Sequence, residues 1–159
     1  MHIIFMEEFI ESVSNKEKKP IYRSMVIQNF NEFVSELIDT QKSTPYREEL
    51  SWERFIPKKL IGVGRSWSYE PVPSFGMHYE KSPNIEVLLY GYIDDIDKID
   101  LVKTLYLNET NKKEREIRIN EKEKVFVDKV CINDIHNKEY LSEDIEIGFC
   151  KKIEKEIYV

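Results

Sequence analysis

Glycine and cysteine are both scarce in this chain of 159 residues, five of the one and two of the other, and the sequence also lacks a basic surplus and any long apolar run. With 24 basic residues against 30 acidic ones the formal charge is −6. That balance argues against a partner held mainly through phosphates, since such binding needs a basic footprint, so nucleic acid is not an expected ligand. No stretch approaches the ~18 apolar residues needed to cross a bilayer. The apolar start from Met1 to Met6 is followed at once by Glu7 and Glu8, with no basic region ahead of it to make a signal peptide; a cytoplasmic location is the expectation. The two cysteines, Cys131 and Cys150, lie in alternating apolar segments and read as reduced core thiols rather than a disulfide. Their spacing suits no zinc motif.

What is present is enough for one real core. Hydrophobic residues make up 41% of the chain, and the 34% that is charged is too well mixed with Ile, Val, Leu, Phe and Tyr to leave it disordered. The expectation is one α+β domain over 1–159, with two N-terminal helices packed on a mainly antiparallel sheet formed by the C-terminal half. Residues 1–41 read as helical. Ile3, Met6, Phe9, Ile10 and Val13 mark one amphipathic stripe, and Ile21 to Ile38 a second that begins at Pro20, a residue suited to a helix start. Residues 42–84 hold five of the six prolines, three of the five glycines and both tryptophans, and read as an irregular aromatic segment packed on the domain.

From residue 85 the period changes to two, so 85–159 reads as β-rich. Ile85 to Ile93 is expected to be a central strand, with Leu101 to Leu107, Glu116 to Ile119 and Lys124 to Ile132 continuing an antiparallel meander. Ile145, Ile147 and Phe149 alternate as a further strand before a charged tail, Lys151 to Val159. The charge is uneven: residues 1–79 carry 10 basic and 11 acidic side chains, residues 80–159 carry 14 and 19. An acidic face should therefore come from the second half.

Motifs that would carry chemistry fail on inspection. The run Asp94 to Asp100 has carboxylates at spacings resembling a calcium loop, but counted from Asp95 the sixth position is Asp100 in place of glycine and the twelfth is Tyr106 in place of glutamate. Gly62-Val63-Gly64-Arg65-Ser66 lacks the third glycine and the lysine of a phosphate loop, and a serine flanked as in a nucleophile elbow. Its glycines are explained by backbone passing close under neighbouring aromatics. His78 and His136 could serve as acid and base, but no third group orients either. Asn29 falls within the second apolar stripe and reads as a hydrogen-bonded core amide. No metal or cofactor is expected.

A binding role follows by elimination. Acidic residues beside an aromatic segment suit a cationic protein, complementary charge speeding encounter and buried aromatics anchoring it. In overall character the chain resembles the immunity proteins that bacteria carry against toxins of the contact-dependent growth inhibition type: short, acidic, rich in Ile, Lys and Asn, with amphipathic helices followed by strands such as Ile85 to Ile93 and Lys124 to Ile132. The resemblance implies tight binding to one cognate toxin domain, such as a basic nuclease. Under that reading the contacts are Asp94, Asp95, Asp97 and Asp100, with Glu143, Asp144 and Glu146 as a second acidic group and Trp67 and Tyr69 as anchors. Two alternatives stand beside it: a small hydrolase or nuclease using His78 or His136 with Arg65 and a carboxylate, and a phage or mobile-element adaptor.

Overall fold

The computed structural model describes residues 2–27, 63–70, 85–110, 115–135 and 146–159. In chain order its elements are α1 (His2–Ser14), β1 (Lys19–Ile27), β2 (Ser66–Ser68), β3 (Ile85–Ile93), a 3-10 turn (Ile96–Lys98), α2 (Leu101–Thr110), β4 (Glu116–Arg118), β5 (Lys124–Ile135) and β6 (Cys150–Tyr158). The six strands form one antiparallel sheet in the order β4-β2-β1-β3-β5-β6.

The fold is α+β as expected, but its elements are distributed differently. The segment from Pro20 is not a second helix: Lys19 to Ile27 is a strand, paired along its whole length with β3 from Lys19↔Ile93 to Ile27↔Ile85. Ile21 and Met25 point into the core while Tyr22 and Ser24 take the opposite face, a two-residue period. The helical spacing read there was carried by residues beyond Ile27, which lie outside the described residues, as does Asn29. Pro20 sits at the start of the strand, where a missing N–H is tolerated.

The second helix lies instead at Leu101–Thr110, where a strand was expected. Ile147 to Phe149 is a turn, and the charged tail is the end strand β6, whose Lys151, Lys152, Glu154 and Glu156 are exposed. Glu154, at φ 49°, marks a bulge where the β5–β6 register slips. Charge and a bulge are both ways of discouraging an end strand from pairing with another chain.

The core occupies one face of the sheet. Ile85, Val87, Leu89 and Ile93 of β3 meet Val125, Val127, Val130 and Ile132 of β5. Met6, Phe9 and Val13, one side of α1, close over them, with the Phe9 ring 5.9 Å from that of Tyr69. Trp67 is 1% exposed, and its indole N–H donates to the Gly64 carbonyl at 2.8 Å. Its ring lies on Gly91, where a Cβ would stand 3.3 Å from it and 2.8 Å from the Phe126 carbonyl oxygen. Gly64, at φ +88°, is covered by the Arg23 guanidinium rather than by an aromatic ring. Arg23 donates to the Ser66 carbonyl at 2.6 Å, and burial pulls its pKa down to about 10.

Cys131 and Cys150 are not separate thiols. They face each other across β5 and β6 and form a disulfide. Beside it, Glu146 to Phe149 makes a turn closed by the Phe149 N–H on the Glu146 carbonyl, with Gly148 at φ +89° in the position that favours glycine. The Gly148 N–H donates to the Ile132 carbonyl at 2.7 Å and the Ile132 N–H to the Phe149 carbonyl at 2.9 Å, which holds the turn against β5 beside the paired cysteines.

Candidate protein-binding surface

The acidic run following β3 is built by its own side chains. Asp95 accepts the Asp97 N–H at 2.9 Å and caps the 3-10 turn. Asp100 accepts the Lys103 N–H at 3.0 Å and starts α2 in the manner of an N-cap. One carboxylate oxygen of each is therefore committed locally, while Asp94, Asp95 and Asp97 are exposed. Lys98, the cation within the run, turns away to donate to the Lys124 carbonyl at 2.9 Å.

The helix that follows is inverted relative to an ordinary amphipathic one. Its two buried residues are polar, Thr104 at 0% and Asn108 at 1% exposure. Both face the open side of β4. The Arg118 N–H donates to Thr104 Oγ1 at 3.0 Å, and Asn108 Nδ2 donates to the Glu116 carbonyl at 2.7 Å. One turn earlier the Asp100 N–H donates to the Arg118 carbonyl at 2.9 Å. Positions 100, 104 and 108 thus stand in for a neighbouring strand and satisfy backbone groups that would otherwise be left at the sheet edge. Because that polar stripe faces inward, the apolar residues face out: Leu101, Val102, Leu105 and Tyr106 are all exposed, Val102 at 82% and Tyr106 at 56%.

The expected acidic residues divide between two ends of the molecule. Asp94 to Asp100 follow the end of β3 that pairs with the start of β5. Glu146 sits in the turn beside Ile132, at the opposite end of the same ladder, next to exposed Ile147 and Phe149. Glu143 and Asp144 lie outside the described residues. The expected anchors Trp67 and Tyr69 are core side chains, 1% and 7% exposed, so neither offers a ring at the surface of this structure. The exposed aromatic beside the acidic run is Tyr106.

The residues of the alternative chemistry do not assemble here. His78 and His136 lie outside the described residues. Arg65 donates through Nε to the Ile119 carbonyl at 2.8 Å and pairs with Glu121 at 3.4 Å, a role in fastening β2 to the loop after β4. Among the described residues, no group of three or more His, Cys, Asp or Glu side chains converges as metal ligands would. No described helix is long and apolar enough to cross a membrane.

No family model, curated protein or solved structure matches this chain.

Proposed function

We propose that this chain is an immunity protein that binds and neutralises a basic toxin domain, docking it on the outward side of α2 and the acidic turn before it. The observation that carries the reading is the inversion of α2, which leaves four large apolar side chains exposed within a few residues of exposed carboxylates. Exposed aliphatic and aromatic residues give the desolvated centre from which most binding energy comes. Carboxylates at the border steer a cationic partner in, chiefly through the association rate. A nuclease domain fits as the partner, because a cleft that holds nucleic acid is itself basic.

The test starts from the gene directly upstream: a toxin-like C-terminal domain encoded there is the partner for growth rescue and then kinetics, and its absence would count against the reading. Asp94→Lys combined with Asp97→Lys should slow association on the order of tenfold at low salt and flatten its ionic-strength dependence. Tyr106→Ala should mainly speed dissociation, at a cost of about 2 kcal/mol. Unchanged rates in both variants would place the contact elsewhere. A failure of the chain to rescue growth or bind that domain would remove the immunity reading.

A further inference from the structure

The outer face of the sheet, opposite the core, carries aromatic rings. Tyr22 and Tyr90 meet edge to face with centroids 5.4 Å apart, and Tyr92 and Phe126, partners across β3 and β5, lie 6.3 Å apart at a 34° tilt. Three lysine ammonium groups stand over these rings and that of Tyr158. Two have a simple cause in strand register: Lys129 is paired opposite Tyr90, and Lys124 opposite Tyr158. Lys18 has no ring directly opposite it; carrying the β1–β3 register one residue past Lys19↔Ile93 sets it on the face of Tyr92 as a diagonal neighbour. It arrives from the loop between α1 and β1 and places Nζ 4.6 Å from the Tyr92 centroid and 5.3 Å from that of Phe126. The Lys18 side chain is otherwise exposed and pairs with no carboxylate among the described residues.

The same two rings line a hollow of about 170 Å³, together with Asp94, Glu156, Lys98 and Lys18. Lys98 Nζ is engaged with the Lys124 carbonyl. With Lys18 swung aside, the space would present two aromatic rings and two carboxylates against the one remaining ammonium, that of Lys98, a net negative lining that attracts an ammonium or guanidinium group. Asp94 belongs both to this hollow and to the acidic turn ahead of α2, so a molecule seated on the turn can reach in.

We infer that this hollow receives one cationic side chain, arginine or lysine, of the docked protein, and that Lys18 is the resident it displaces. The identity of the ligand rests on the proposed basic partner; the capacity of the hollow to hold a cation does not. The probe is therefore a small molecule, acetyl-arginine amide, titrated into the full chain and followed by the NMR signals of the Tyr92 and Phe126 rings. Acetyl-citrulline amide is its uncharged counterpart.

The arginine probe should shift both rings saturably, and the citrulline probe should not. Lys18→Ala should bind arginine about two- to five-fold more tightly, the fold-change of one exposed cation–π contact removed from competition. Tyr92→Leu should abolish the response. Asp94→Asn, an exposed change that leaves the fold alone, should weaken it. Equal shifts with citrulline, perturbation centred on other residues, or a Lys18→Ala variant that binds no more tightly would overturn the inference. Arginine binding that behaves as expected, in a chain that captures no basic toxin domain, would count against the immunity reading and leave the cation site standing.

Discussion

Tyr22 and Tyr69 show how single side chains tie this fold to alkaline pH. Burial is the first cause that raises both phenols above their ordinary 10.0, with the neighbouring Tyr90 and Tyr92 adding to it at Tyr22. A raised phenol keeps its proton in the folded chain where the unfolded chain releases it. Its contribution is whole below about pH 10 and is lost as pH climbs through the folded value. Arg23 runs the other way: burial holds its folded value at about 10, below that of a free guanidinium, so the cost of burying its charge eases as pH rises through about 10. The clean measurement is therefore a comparison of variants. Urea unfolding of Tyr22→Phe between pH 9 and 11 should lose stability less steeply than the parent chain, while phenolate absorbance reports one fewer late-titrating tyrosine. Equal slopes would mean that Tyr22 is not protected.

At the scale of elements, α2 reverses the usual expectation for a surface helix. Asn108→Leu adds apolar area yet leaves the Glu116 carbonyl without its Asn108 donor, and should cost about 1 to 3 kcal/mol. Leu105→Ala, at an exposed position, should change folding stability by only about 0.5 kcal/mol. Chemical denaturation of the two variants checks the contrast, and a costlier Leu105→Ala would contradict it. The staple between β5 and β6 is the other element-scale determinant. It joins residues 19 apart, and closing a loop of that length stabilises by about 3 kcal/mol in the chain-entropy account. A reductant, or Cys131→Ala with Cys150→Ala, should remove that amount. Rapid alkylation of two thiols in the unreduced native protein would show that the bridge is not formed.

The same elements explain what could be read in advance. The stripe of α1 and the apolar runs of β3 and β5 were legible because burial dictates their period over many residues. Leu101 to Leu107 was misread because a short run that alternates apolar and polar residues is compatible with either element. The deciding signal, Asp100 as an N-cap followed by Thr104 and Asn108 at four-residue intervals, only acquires meaning beside an edge strand that lies elsewhere in the chain. Trp67 and Tyr69 were recognisable as large aromatics, but whether they would face water depended on α1 and Gly91. The cysteines carried no local sign of pairing, since they meet only through the pairing of β5 with β6.

At the scale of the whole molecule, the formal charge of −6 says less than its arrangement. The outer sheet face brings lysines over aromatic rings, while the exposed aspartates follow one end of β3. The Glu146 turn lies a full strand away from those aspartates, so one small partner would engage one acidic group rather than both. Because the buried side chains of α2 are the polar Thr104 and Asn108, its apolar residues are left at the surface, Val102 and Tyr106 with the least packing and Leu101 and Leu105 about half covered. Substitution at Val102 or Tyr106 would therefore alter what the helix offers to the outside while the polar contacts that fasten it stay in place.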